Sequence, residues 1–301
     1  MSSIKPWLAA ARLRTLPLAF SCIILGNFLA ANEGSFDWSI LILSLLTTLL
    51  FQVLSNYAND YGDGVKGTDD HRKGEKRMVS TGIISRKSMK RAVYLLVVLS
   101  FISASLLSYI ALIDSGWTLV LLFIALGCLA ILAALFYTIG DTAYGYSGWG
   151  DFFVLLFFGW VGVMGSYYIQ TAQLSLDMLM PSSAVGLLAV GVLNLNNMRD
   201  IQSDKVAGKF SIPVRIGLPW AKAYHVALVV IAFDLAFFYA QMKGGDVWRN
   251  LFLLTAPLLL WNLSSVFKAW KSEDFELLLK RLAITTLLFS ILLGLGIYLS
   301  H

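Results

Sequence analysis

The chain has 301 residues, 58% of them hydrophobic and only 14% charged, with a formal net charge of +5 and a mean hydropathy of +0.73. Soluble domains carry about 25% charged residues, so an ordinary soluble fold is excluded. The two cysteines, Cys22 and Cys128, both fall in apolar runs, which leaves no disulfide framework and no cysteine-based metal site.

In chain order, nine apolar runs approach the roughly 20 residues that a helix needs to cross the hydrocarbon core. The first, 15–31, follows Lys5, Arg12 and Arg14. It outlasts the apolar core of a signal peptide and more spans follow, so it reads as a span. The second, 38–58, runs into NYANDYGDGVKGTDD and a loop over about 59–91. Asn56, Asp60 and Asp63 are spaced i, i+4, i+7, and Asn59 and Asp63 i, i+4, which lines one flank of the span's end with oxygen ligands. Runs at 92–113, 117–136, 149–170 and 181–198 come next. The last of these ends in NLNNMRDIQSDKVAGK, where Asn196, Asp200 and Asp204 repeat the i, i+4 spacing, and opens a loop over about 199–221. Runs at 222–242, 247–268 and 282–300 complete the chain.

Backbone groups in lipid must be satisfied within the segment, and long uninterrupted runs do this only as helices. The expectation is an all-α polytopic membrane protein, one domain over 1–301 with about nine transmembrane helices around a central cavity. The pair Asn56 and Asp60 recurs as Asn196 and Asp200, which suggests two pseudo-repeated halves.

With the N-terminus on the cytoplasmic side, 21 of the 23 basic residues fall on that side and only Lys243 and Arg249 on the other. The positive-inside rule favours this orientation, and the expected location is the cytoplasmic (inner) membrane. The net positive charge then reads as topology and attraction to anionic head groups, with no nucleic-acid partner.

Ionised Asp at membrane depth costs on the order of 3 kcal/mol or more, and clustered carboxylates repel one another. A cation should therefore sit between them. Carboxylate and amide oxygens suit Mg²⁺, which is commonly completed by substrate phosphates. Arg72, Lys73, Lys76 and Arg77 follow the first cluster, and Lys205, Lys209 and Arg215 the second. A divalent ion with such donors binds pyrophosphate as a leaving group. Several polar residues read as non-catalytic: His225 as interfacial, Glu33, Asp37, Asp114 and Asp177 as solvated outer-loop acids, and Lys271–Glu276 as a solvated loop. Asp234 stands out as an acid within the seventh run.

At these motifs the chain resembles the UbiA superfamily of intramembrane prenyltransferases, in particular the branch that uses 1,4-dihydroxy-2-naphthoate. The N-D-x-x-D motif falls on Asn59, Asp60 and Asp63, and the branch's K-G-x-D on Lys66, Gly67 and Asp69. The D-x-x-x-D motif falls on Asp200 and Asp204, preceded by Asn196, Asn197 and Arg199 and followed by Gly208, Lys209 and VRIG. Arg14 and Pro17 match R-x-x-T-L-P, Tyr137 and Thr138 match Y-T, and Gly150 and Asp151 match G-[DE]. Where the family often has Gly-Pro or Gly and a basic residue, Gly140 here precedes Asp141.

The resemblance implies transfer of a polyprenyl group from its diphosphate to an aromatic acceptor. Mg²⁺ would be held by Asn59, Asp63, Asp200 and Asp204, with Lys209 beside them in a catalytic role. Asn59, Asp60, Asp69, Lys66, Arg77, Arg14, Tyr137, Asn197, Arg199 and Arg215 would bind substrate. Tyr137, Phe157, Phe158, Trp160 and Tyr167 are candidates to line the cavity. Other acceptors, such as 4-hydroxybenzoate or homogentisate, keep the fold; a cation-coupled transporter is the alternative of a different class, although it would place its acids nearer the midplane.

Overall fold

The computed structural model describes residues 4–67, 77–140 and 143–300. Every regular element among them is helical, and nine segments are long and apolar enough to cross a membrane. Their order is that expected, but several begin or end well outside the apolar runs, and the extra turns carry Asn59, Asp60, Asp63 and Glu276.

The first span is α1 (Ile4–Ala11) and α2 (Leu16–Asn32), parted by a short 3₁₀ turn, Leu13–Thr15. Arg12 breaks the helix by adopting the left-handed conformation, φ 49°, which a side chain with a Cβ rarely takes. The break leaves carbonyls without helical partners. Asn56, on the next span, answers one of them by donating its amide to the Ala11 carbonyl at 2.8 Å.

Helix α3 (Trp38–Lys66) starts at Asp37, whose carboxylate accepts the Ser39 and Ile40 amides at 2.6 and 3.2 Å. Those two amide bonds hold the exposed Asp37 carboxyl below its ordinary range, so this acid is a cap rather than merely solvated. The helix ends at Gly67, φ 71°. Residues 59–66 are thus helix, not loop, and the first motif stays on a rigid rod.

Helices α4 (Arg86–Leu112) and α5 (Trp117–Phe136) form a hairpin. The fifth span is composite: α6 (Gly150–Val154), a π-helical stretch Leu155–Met164, and α7 (Gly165–Thr171). Helix α8 (Leu179–Arg199) is followed by the short α9 (Ile201–Val206). Helix α10 (Ile212–Met242) begins before the expected 222 and bends at Gly217. After α11 (Ala256–Lys268), α12 (Ser272–Leu299) begins at Ser272 rather than near 282. Its first turn is stabilised by the Asp274 carboxylate, which accepts the Trp270 and Lys271 amides. The segment read as a solvated loop is therefore helix.

Helix α8 is the most buried span and packs on α10, α12 and the π-helical stretch, while α2 packs on α12 and α3 on α4. Lipid tails are as apolar as Leu, so close packing rather than transfer from water holds such helices together. Gly26 shows the closeness: a Cβ there would lie 2.0 Å from Ser166 Oγ and 2.4 Å from the Val163 carbonyl. By contrast, among the described residues α5 and the fifth span, although consecutive, pack together only sparsely, mainly at the end remote from the Asp motifs, where Ile169 joins Val120 and the Phe123 and Tyr168 rings stack at 5.3 Å. His225, read as interfacial, is fully buried and hydrogen-bonds Asn262 at 3.0 Å. Asp177 pairs with Lys243 at 2.6 Å, and Asp234 is exposed on α10.

Candidate active site

The spans enclose a cavity of about 770 Å³. Its walls are apolar along most of their length, with Leu107, Leu126, Phe157, Phe158, Trp160 and Met164 among them. Its polar end gathers Arg14, Asn59, Asp63, Arg77, Asp204 and Lys209. Four stretches of chain contribute: the α1–α2 break, the end of α3, the turn that starts at Arg77, and α9 with Lys209 just beyond it.

Asp63, on the last turn of α3, accepts Arg77 Nη2 at 2.7 Å on one oxygen and the Tyr146 hydroxyl at 2.8 Å on the other. Asn59, one turn earlier, accepts the Thr138 hydroxyl at 3.1 Å. Asp204 is reached by Lys209 Nζ at 3.6 Å, and the Lys209 amide donates to the Asp204 carbonyl at 2.8 Å, which fixes the turn between them. Tyr137 lines the same region. Burial pushes its phenol above the ordinary value; Lys209 opposes this, and the carboxylates of Asp204, Asp151 and Asp63 add to it.

The other motif residues do different work. Asp60 does not line the cavity; its two oxygens accept the Met78 and Val79 amides at 3.0 and 2.9 Å and so hold the turn that carries Arg77. Asp200 does not line it either: Arg199 Nε and Nη2 fork onto its two oxygens, each at 2.8 Å. The repeated Asn–Asp pairs thus make unlike bonds, since Asn56 caps the first break while Asn196 accepts Arg199 Nη2 at 2.8 Å. Arg215 lies on α10 and donates to the Phe210 and Ser147 carbonyls, which joins two loops rather than facing the cavity. Lys66 stacks over the Tyr146 ring at 4.1 Å. Asn197 is buried away from the cavity, as is Tyr167. Asp69, Arg72, Lys73, Lys76 and Asp141 lie outside the described residues.

Two participants were not legible as such. Tyr146 sits in a short aperiodic loop with nothing in its neighbours to mark it. Glu276, on α12, binds Arg14 and Arg199 with its two oxygens; its only local signal is Lys280 at i+4, 3.4 Å away.

The oxygen donors Asn59, Asp63 and Asp204 fit a hard cation such as Mg²⁺. No three His, Cys, Asp or Glu side chains form a metal-binding group among the described residues. That donor set matches an ion held by one or two carboxylates and finished by substrate phosphates rather than by a protein cage.

An apolar cavity with acids, amides and cations at one end defines an intramembrane site for an amphiphile that carries an anionic head. Over residues 19–288 the chain matches the UbiA prenyltransferase family, and it belongs to that family. Similar proteins include the 1,4-dihydroxy-2-naphthoate octaprenyltransferases of Escherichia coli K12, 42% identical over 100% of this chain and 97% of that protein, and of Haemophilus influenzae, 41% identical over 98% and 96%. Among solved structures, a UbiA homologue from Aeropyrum pernix K1 superposes with a TM-score of 0.68 at 20% identity, over 99% of each chain. One from Archaeoglobus fulgidus, bound to GPP and Mg²⁺, gives 0.60 at 18% identity, over 96% of this chain and 99% of that one. These two show a shared fold.

Proposed function

We propose that the chain transfers a polyprenyl group from its diphosphate to 1,4-dihydroxy-2-naphthoate, with release of pyrophosphate and CO₂. The observation that carries this reading is the joining of one polar end, built by Asp63, Asp204, Lys209, Arg77 and Arg14, to one long apolar cavity. The sparse contact between α5 and the fifth span offers a prenyl tail a way in from the bilayer. The E. coli and H. influenzae relatives bear the name of this activity, and the A. fulgidus homologue binds a prenyl diphosphate with Mg²⁺.

Asn59, Asp63 and Asp204 would hold Mg²⁺, which when bound supplies Lewis-acid neutralisation of the diphosphate. Arg14 binds the diphosphate in the ground state, while Lys209 and Arg77 donate to its oxygens and stabilise the negative charge that grows as the allylic C–O bond breaks and pyrophosphate leaves with the electron pair. Tyr137 and the aromatic wall behind it exclude water from the allylic cation. The electron-rich naphthalenediol ring attacks that carbon, and loss of CO₂ leaves its bonding pair in the ring and restores aromaticity. The basic residues support an inner-membrane location with the N-terminus and this polar end on the cytoplasmic side.

The test is purified protein in lipid with prenyl diphosphates of several lengths, Mg²⁺ or EDTA, and each acceptor in turn, following CO₂ and pyrophosphate. Mg²⁺-dependent product with dihydroxynaphthoate is expected. Product only with 4-hydroxybenzoate or homogentisate overturns the acceptor, and no product with any acceptor overturns the reaction.

A further inference from the structure

Glu276 sits one turn into α12, half-buried, and divides its carboxylate between two distant guanidinium groups. One oxygen takes Arg14 Nη1, from the 3₁₀ turn that interrupts the first span; the other takes Arg199 Nη1, from the end of α8. Arg199 is almost fully enclosed, its side chain 3% exposed, and it also forks onto Asp200 and reaches Asn196. The Ser272 hydroxyl donates to the Arg199 carbonyl at 2.9 Å and ties the start of α12 to the end of α8. The charges therefore alternate along a line, Asp200, Arg199, Glu276, Arg14, from the protein interior to the cavity wall. Of these four, only Arg14 lines the cavity.

Arg14 follows a residue in the left-handed conformation, outside any regular α-helix. Glu276 accepts from one Arg14 nitrogen, Nη1, in the plane of a guanidinium group that carries five N–H donors, and so fixes how that group lies at the cavity wall. We propose that Glu276 is a positioning residue: it orients Arg14 toward the diphosphate and, by balancing the charge of Arg199, keeps Arg14 from being driven away. This rests on the site being a diphosphate site. Removing the carboxylate charge leaves the Arg14 and Arg199 guanidinium groups without the carboxylate that joins them, with Lys280 losing its partner as well, and Arg14, the more exposed of the two arginines, gives way. The effect falls on binding of the diphosphate, which Arg14 meets in the ground state, and not on the acceptor.

The experiment is Glu276→Gln in the full chain in lipid. Loss of this charge-assisted hydrogen bond should raise KM for prenyl diphosphate about 13- to 160-fold with kcat and the acceptor KM nearly unchanged. Binding of inorganic pyrophosphate, measured by calorimetry without acceptor, should weaken in parallel. In an Arg14→Ala background the same substitution should add little. Glu276→Asp, which keeps the charge at shorter reach, should recover part of the affinity and carries the test if the glutamine variant folds poorly. Unchanged pyrophosphate binding, a loss confined to kcat, or a full additive loss in the Arg14→Ala background overturns the proposal. Because pyrophosphate binding is read without turnover, it separates failure of this inference from failure of the proposed reaction.

Discussion

Tyr146 donates its hydroxyl to Asp63 at 2.8 Å, and its carbonyl accepts the Phe210 amide at 2.8 Å, so one loop residue ties the first motif to the segment after the second. Tyr146→Phe removes a single neutral donor and leaves the Asp63 charge in place. An ordinary hydrogen bond contributes about 0.5–1.5 kcal/mol, so kcat/KM should fall roughly 2- to 13-fold. Asp63→Asn removes the charge itself and should cost about a hundredfold or more, as loss of a preorganised electrostatic group does. Steady-state rates of prenyl transfer for the two variants decide this; equal losses would place Tyr146 and Asp63 in the same role.

Asp60 and Asp63 belong to one motif yet should fail differently. Asp60→Ala leaves the part-buried Met78 amide and the buried Val79 amide without acceptors, at about 1–3 kcal/mol each, less for the Met78 amide, which water can partly reach. Its thermal midpoint in lipid should drop well below that of Asp63→Asn, and activity should fall because Arg77 is displaced. A variant as stable as the parent would show that Asp60 does not build the turn.

Arg199→Ala strands the Asp200 carboxylate in the interior. Breaking a buried ion pair from one side costs about 3–5 kcal/mol, so this variant should express poorly or melt early. Arg215→Ala, which loses only bonds to the exposed Phe210 carbonyl and to Ser147, should lose less stability. Thermal denaturation of the two side by side is the measurement.

Gly62 packs against Thr138: a Cβ would stand 2.8 Å from Thr138 Oγ1. Thr138 is also the donor to Asn59. Gly62→Ala should cost about 1–3 kcal/mol by overpacking and reduce activity through Asn59. Adding Thr138→Ala should restore little of the stability, because the Thr138 Cβ and carbonyl carbon, 2.9 and 3.0 Å from the new Cβ, remain, and should not restore the activity; melting and rate measurements on the double variant would show both.

Nine spans and their order were legible because hydrophobicity over about 20 residues is a local property of the chain. Both Asp clusters at one end of the bundle were legible for the same reason. Span ends were not, since α3, α10 and α12 continue past the apolar run wherever a cap, a glycine or an ion pair satisfies the exposed turns. Spacing alone also treats Asp60, Asp63, Asp200 and Asp204 as equals. Only the tertiary structure divides them, because a carboxylate's role depends on which donors surround it, and those come from Val79, Tyr146, Arg199 and Lys209 at other points of the chain. Glu276 is the extreme case: 262 residues separate it from Arg14, and nothing short of the packed bundle places the two side by side.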